Sequence, residues 1–126
     1  MQVKFSKKGT TVIVSIIGEL DHHSAQYLKN KVDSETLKST TKNVVFDFMN
    51  VSFMDSSGIG TIIGRYKNIQ KLNGKTAVVN MNTQIKRIFE MSGLLKIIPA
   101  YESIDEALSA INVKELWNSY SFLKKR

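Results

Sequence analysis

Cysteine is absent from the 126 residues, which excludes disulfide bonds and thiolate metal sites and fits a reducing compartment. The single proline, Pro99, lies late in the chain, and no repeat or Pro/Gly/Ser-rich linker is present, so we expect one domain. No stretch approaches the ~18 apolar residues of a membrane span. The first five residues also lack the basic region and apolar run of a signal peptide. We therefore expect a cytoplasmic protein without a membrane span.

The chain carries 18 Lys and Arg against 11 Asp and Glu, a formal net charge of +7. The densest basic stretch has one acid, Glu90, and seven basic residues: Arg65, Lys67, Lys71, Lys75, Lys86, Arg87 and Lys96. A basic face there fits a solvated surface, an acidic protein partner or nucleic acid. Nucleic acid is the weakest of the three, because aromatic residues are not interleaved with the basic ones as stacking platforms. We expect no direct nucleic-acid contact.

Apolar and β-branched runs predict the strands. Residues 3–5 and 11–17, joined by a turn at Lys8 and Gly9, predict a hairpin. Residues 44–48 are short and apolar, which favours a central strand covered on both faces. Residues 76–79 predict another strand, and residues 94–98 lead into a short edge strand.

Apolar residues at helical spacing predict four helices in the remaining parts of the chain. They contain Ala25, Leu28, Val32 and, less regularly, Leu37; Ile59, Ile62, Ile63, Tyr66 and Ile69; Ile85, Ile88 and Phe89; and Ile104, Ala107, Leu108 and Ile111. Asn73 and Gly74 end the second helix, and Ser103 with Glu106 forms a capping box for the fourth. Helices alternating with strands after a hairpin predict an α/β fold, with a mixed sheet of about four to five strands and about four helices packed on it.

The segment Asp55-Ser56-Ser57-Gly58-Ile59-Gly60 holds the candidate site. Asp55, Ser56 and Ser57 form a natural N-cap cluster after the central strand. Backbone N–H groups and the positive end of the helix dipole favour an anion there, including a phosphate on Ser56 or Ser57. An isolated cluster of this kind is usually only a cap, so the interpretation needs further support.

That support comes from the rest of the helix. Glycines at 58, 60 and 64 each cost about 1 kcal/mol relative to alanine, which close approach of a partner would explain. The helical wheel places Ser57, Thr61, Gly64 and Asn68 on the outward face, with Ser56, Gly60 and Lys67 on one flank. The surface is small and nearly flat, and the serines have no partner residue for nucleophilic catalysis. We predict a protein-docking surface and not an enzyme.

Other motifs match poorly. The glycines at 58, 60 and 64 read G-x-G-x-x-x-G, one residue longer than a dinucleotide fingerprint, and no phosphate loop of the G-x-x-x-x-G-K-S/T type occurs. His22 and His23 are the only histidines, and neighbours on a helix do not face one ion, so we expect no metal site. Asp21 either caps the first helix alone or also shares a recognition surface with Ser56.

Four segments together resemble the sporulation anti-sigma factor antagonists of the STAS domain superfamily. They are Gly18-Glu19-Leu20-Asp21-His22-His23, residues 52–60 around DSSGIG, Gly64-Arg65-Tyr66-Lys67, and residues 87–94, RIFEMSGL. The resemblance covers nearly all of residues 3–111, so we expect a STAS domain over residues 1–111 and a C-terminal extension over 112–126.

The resemblance implies a partner-switching module without cofactors. The unphosphorylated antagonist binds an anti-sigma factor that is also a serine kinase, which frees the sigma factor indirectly; phosphorylation ends the binding, and a serine phosphatase restores it. The implied acceptor is Ser56, with Asp21 and Asp55 as kinase contacts. The remaining expected partner contacts are Ser57, Gly58, Gly60, Thr61 and Gly64. A STAS module of a general stress pathway and a nucleotide-binding regulator remain as alternatives.

The C-terminal extension departs from the family pattern. Val113, Leu116, Trp117, Tyr120 and Leu123 recur at helical spacing before Lys124, Lys125 and Arg126. Three interpretations stay open: a continued last helix, a disordered tail, or a helix that touches a membrane or a partner.

Overall fold

Strands and helices alternate along the chain after an initial hairpin, as predicted. The computed structural model describes residues 1–124. The strands are β1 (Gln2–Lys8), β2 (Thr11–Leu20), β3 (Asn43–Met54), β4 (Thr76–Val79) and β5 (Ala100–Tyr101). The helices are α1 (His22–Lys38), α2 (Ser56–Lys71), α3 (Thr83–Met91) and α4 (Ile104–Lys124), with a 3₁₀ turn over Leu94–Lys96. Residues 125 and 126 of the expected extension lie outside the described residues.

The strands form one mixed sheet in the order β1-β2-β3-β4-β5. β1 runs antiparallel to β2, and the other neighbours are parallel. β3 is therefore central and β5 is a short edge strand, both as predicted. Since successive side chains of a strand point to opposite faces, the sheet has two cores. One face packs against α1, α2 and α3, and the other against α4. The predicted α/β class is confirmed.

The register between β2 and β3 changes along their length. Ser15 pairs with Asp47, but Leu20 pairs with Met54, so β3 uses two more residues than β2 over the same distance. The irregularities fall between Ser15 and Ile17 and between Gly18 and Glu19. Gly18 has φ +111°, a backbone conformation that L side chains rarely adopt, which explains a glycine at this point. The shift brings the carboxyl ends of both strands level with each other.

One predicted core position is wrong. Leu37, placed on the apolar face of the first helix, is 87% exposed. Leu28 and Val32 fill the core from this helix. Leu37 follows Val32 by five residues, which is about 140° around a helix of 3.6 residues per turn, so it leaves the buried face of α1.

An ion pair between a buried arginine and a partly exposed aspartate joins α1 to α2. Arg65 Nε lies 2.9 Å from Asp33 Oδ1, and the Arg65 side chain is only 7% exposed. The expectation that Arg65 belongs to a basic surface is therefore wrong, because its guanidinium lies between the helices. The six other basic residues of that stretch are exposed. The pair fixes the two helices whose N-termini form the candidate site.

We expect Asp33→Ala to destabilise the protein more than Arg65→Met. Loss of Asp33 leaves a buried guanidinium without its carboxylate, a situation that costs about 3 kcal/mol or more. Arg65→Met removes the charge itself and keeps an apolar stem, while the remaining Asp33 carboxylate is partly solvated. Free energies of unfolding from urea titration measure both.

Lys29→Ala is the matched control, since Lys29 Nζ also approaches Asp33, at 3.7 Å, but with 47% of its side chain exposed. Exposed pairs contribute about 0–1 kcal/mol, so this change should be small. A loss for Arg65→Met equal to or greater than that for Asp33→Ala would contradict the assigned role of the pair.

Candidate functional site

Two helix N-termini lie side by side at the carboxyl edge of the sheet. Asp21 follows β2 and caps α1, and Asp55 follows β3 and caps α2. Their backbones are nearly identical, with φ −117° and ψ −170° for Asp21 and φ −119° and ψ −171° for Asp55. The backbone N–H of Asp55 donates to the carbonyl oxygen of Leu20 at 3.3 Å, so the sheet pairing continues up to the caps. We call this the paired edge, defined by Asp21, Asp55 and Ser56.

Asp21 is held by a complete capping box. Its Oδ1 accepts from the backbone N–H of His23 at 2.9 Å and of Ser24 at 3.0 Å, and its own N–H donates to Ser24 Oγ at 2.9 Å. The Ser24 N–H is the main reason that the pKa of the Asp21 carboxyl lies below its ordinary value. The carboxylate therefore stabilises the fold above that ordinary pKa, and the contribution is lost as the pH falls through the lowered one. The cap that the sequence predicted is present.

Ser56 is the exposed serine of the pair. It is the first residue of α2, while Ser57 is half-buried and donates its N–H to Asp55 Oδ1 at 2.8 Å. The N–H of Gly58 donates to the Asp55 carbonyl at 3.0 Å. Of the two candidate acceptors, Ser56 is therefore the one more accessible to an enzyme.

The outward face of α2 is rotated from the predicted one. Ser56, Gly60 and Lys67 are exposed, whereas Ser57, Thr61 and Gly64 are half-buried. Thr61 lies one turn before Arg65, which points to α1, and its hydroxyl donates to the Ser57 carbonyl at 3.2 Å. The residues predicted to face outward therefore lie closer to α1, and those predicted on the flank form the more exposed surface. Asn68 is the one residue of the predicted outward face that is exposed.

Gly58 does not lie on an open surface, contrary to the prediction. It is buried, and a Cβ added there would lie 2.7 Å from Met54 Cγ and 2.9 Å from Leu20 Cγ. The glycine lets α2 approach the ends of β2 and β3. Gly60 and Gly64 have nothing within 4 Å of such a Cβ, so there is open space beside both; a partner at this surface stays a prediction.

An apolar groove beside the paired edge was missed. It has a volume of about 390 Å³ and is lined by Phe53, Met54, Thr83, Gln84, Ile85, Arg87 and Ile88. Phe53, two residues before Asp55, is 50% exposed. Phe48 and Phe89 pack edge to face, with ring centroids 5.5 Å apart, and position α3 next to β3. A sequence signal existed, since Phe53 is a large apolar residue two positions before Asp55 and outside the apolar run of residues 44–48.

Three further features of residues 1–124 concern metal, nucleotide and membrane sites. Within residues 1–124, no group of three or more His, Asp and Glu side chains is placed to hold a metal ion. His22 and His23 are both exposed, with ring centroids 5.8 Å apart. Gly58 and Gly60 lie inside α2, and the N–H groups of Gly58 and Ile59 both donate to the carbonyl oxygen of Asp55, so these two donors are already used within the helix start. No helix over these residues is long and apolar enough to cross a bilayer.

Comparisons with known proteins identify the family and relatives of this chain. A family model described as STAS domain matches residues 2–107. The chain is 36% identical over 113 residues to an anti-sigma F factor antagonist of Paenibacillus polymyxa, covering 90% of this chain and 97% of that protein. It is 30% identical over 98 residues to an anti-sigma-B factor antagonist of Bacillus subtilis, covering 78% of this chain and 88% of that one.

Solved structures of the antagonist SpoIIAA share the fold. The unphosphorylated form superposes with a TM-score of 0.77 at 26% identity, covering 88% of this chain and 96% of that one. The phosphorylated form of the Bacillus protein gives a TM-score of 0.69 at 26% identity, covering 87% and 99%.

Gly58 is tightly packed and Gly60 has open space beside it, so substitution by alanine should change the free energy of unfolding in opposite directions. Gly58→Ala should lower the free energy of unfolding by about 1–3 kcal/mol, because the methyl group must displace buried Leu20 and Met54 atoms. Gly60→Ala should raise it by roughly 0.5–1 kcal/mol, since alanine favours an exposed helix position with no neighbour to meet. Urea titration of the two variants measures the difference, and equal stability of the two would contradict the packing role of Gly58.

Proposed function

This chain belongs to the STAS domain family and has homologues among anti-sigma factor antagonists, and we propose that it is itself such an antagonist. Its unphosphorylated form binds an anti-sigma factor that is also a serine kinase, and this frees a sporulation sigma factor. Phosphorylation of Ser56 ends the binding, and a serine phosphatase restores it. The protein acts by binding and catalyses no reaction of its own.

The observation that carries the proposal is the position of Ser56. Its side chain is exposed at the first residue of α2, directly after the Asp55 cap and next to the Asp21 cap. A kinase can reach the hydroxyl without unfolding the domain. A partner that covers this serine also covers both caps, so binding and phosphorylation use one surface.

Phosphorylation changes the surface more than the fold. A phosphate adds about −1.5 to −2 charges, and the N-terminus of a helix tolerates such an anion. For a bound partner the same phosphate lies beside the carboxylates of Asp21 and Asp55. An uncompensated charge in an interface costs on the order of 3 kcal/mol, which weakens binding about 100-fold. Charge repulsion at the paired edge is sufficient for a switch.

The proposed contact surface combines the paired edge with α2 residues that are not buried. It includes Asp21, Asp55 and Ser56 at the edge, and Ser57, Gly60, Thr61 and Gly64 along α2. Gly58 is left out because it is buried. Phe53 adds a half-exposed aromatic side chain next to the edge, the residue type that commonly anchors interfaces.

The sigma factor that is controlled is the second part of the proposal. The 36% identity over nearly the whole length of an anti-sigma F factor antagonist favours the sporulation pathway. The 30% identity to an anti-sigma-B factor antagonist supports a general stress pathway as the second candidate. The chemistry at Ser56 is the same in both.

We expect Ser56→Ala to bind the anti-sigma factor in the presence of ATP without being released. Ser56→Asp should bind at least about tenfold more weakly, since it places one permanent negative charge where the phosphate carries nearly two. Ser34→Ala, at an exposed position in the second half of α1 outside the proposed contact surface, is the control and should bind and be released like the unchanged protein. Calorimetry with the purified anti-sigma factor measures each affinity, and equal affinity of the Ala and Asp variants would refute the switch.

Incubation with candidate kinases decides between the two pathways. Anti-sigma F and anti-sigma-B kinases are each mixed with the protein and ATP, and the phosphopeptides are identified by mass spectrometry. We expect one phosphate, on Ser56, added faster by the anti-sigma F kinase. A phosphate on Ser57 in place of Ser56 would make Ser57 the acceptor. Faster phosphate transfer by the anti-sigma-B kinase would favour the stress pathway.

A further inference from the structure

The second half of α4 carries large apolar side chains on its surface. Val113, Trp117 and Tyr120 are 64%, 63% and 52% exposed. They are spaced four and three residues apart, so they lie along one side of the helix. The Trp117 and Tyr120 rings are 5.7 Å apart. We call these three residues the α4 stripe; the matched family region ends before it, at residue 107.

The α4 stripe lies at the end of the molecule opposite Ser56. α4 starts after β5, at the carboxyl edge of the sheet, and runs back across the face. Ala107 and Ile111 pack on the sheet, and Ile111 shares a pocket with Thr76 and Ala77 at the start of β4. The residues after Ile111 therefore extend past the amino edge, by about 20 Å up to Lys124 at 1.5 Å per residue.

That end of the molecule is basic. Lys8 lies at the end of β1, Lys71 at the end of α2 and Lys75 just before β4, and all three are exposed. The register pairs of Thr11 with Asn43 and of Val44 with Thr76 place these positions along one edge. The opposite edge carries the acids Glu19, Asp21 and Asp55. We call the group of Lys8, Lys71 and Lys75 the basic end.

The sequence of the extension adds to this charge. Residues 112–126 contain four basic residues, Lys114, Lys124, Lys125 and Arg126, against one acid, Glu115. A second copy of the chain would bring the same positive charge to the contact and be repelled. An anionic surface would be attracted, at a distance limited by the Debye length of about 8–10 Å.

We propose that the α4 stripe and the basic end dock on an anionic lipid surface. Val113 and Trp117 enter the interfacial region with Tyr120, since Trp and Tyr favour this boundary. The lysines contact the lipid head groups. The paired edge then faces away from the membrane, so Ser56 stays open to its partner. This docking is independent of the role of Ser56.

The test uses the full chain and vesicles of phosphatidylglycerol and phosphatidylcholine in equal parts, with pure phosphatidylcholine for comparison. Trp117 is the only tryptophan, so its fluorescence reports on the α4 stripe alone. We expect its emission to shift to shorter wavelength and the protein to float with the anionic vesicles. The shift should be absent with phosphatidylcholine and should be reversed by high salt.

Two charge reversals form a matched pair. Lys75→Glu changes the basic end, whereas Lys86→Glu changes the net charge equally at an exposed position on α3. Each charge near an anionic membrane contributes about fivefold in affinity, so Lys75→Glu should weaken vesicle binding about 25-fold. Lys86→Glu should have a much smaller effect. Trp117→Ser should reduce flotation while far-ultraviolet circular dichroism shows the fold retained.

Several results would overturn the proposal. One is an unshifted Trp117 emission with anionic vesicles at low salt; another is equal binding to both vesicle types. Equal losses for Lys75→Glu and Lys86→Glu would show general attraction without an oriented surface. A dimer in sedimentation that disappears in Trp117→Ser would assign the α4 stripe to a second copy, and binding of the stripe to an acidic protein in place of vesicles would assign it to that partner.

Discussion

The parallel pairing of β2 with β3 at their carboxyl ends is the constraint on which the candidate site depends. Leu20 pairs with Met54, and the hydrogen bond from Asp55 N–H to the Leu20 carbonyl extends this pairing by one residue. Each strand is followed at once by an aspartate that caps a helix. Two helix N-termini and two carboxylates are thereby placed at neighbouring strand ends, about 5 Å apart. Ser56 takes its electrostatic surroundings from this arrangement.

Packing below the caps holds that arrangement in place. Gly58 allows α2 to approach Leu20 and Met54 closely, and the Asp33–Arg65 pair ties α1 to α2 further along both helices. Ser56 itself is exposed, so a phosphate or a partner that reached it would meet a surface whose support lies underneath. Such a surface can change its charge without a change of fold.

The direction of the strands also separates the charges of the molecule. Helix starts and strand ends meet at one edge, where aspartates act as caps. Helix ends and strand starts meet at the other edge, where Lys8, Lys71 and Lys75 are exposed. Lysine near a helix C-terminus is favoured by the dipole, as aspartate is at an N-terminus. The same local preferences, repeated over parallel βα units, yield one acidic and one basic end.

Much of the fold was predictable from the sequence by itself, because hydrophobic period and capping residues act locally: the hairpin, the central strand at 44–48, the α/β class and the caps at Asp21 and Asp55 follow from neighbours in the chain. Contacts between distant residues were not predictable in this way. Arg65 looked like surface charge and Gly58 like open surface, yet a partner 32 residues away and strand ends that meet only after folding bury them. Periodicity describes one element, whereas burial depends on which other elements pack against it.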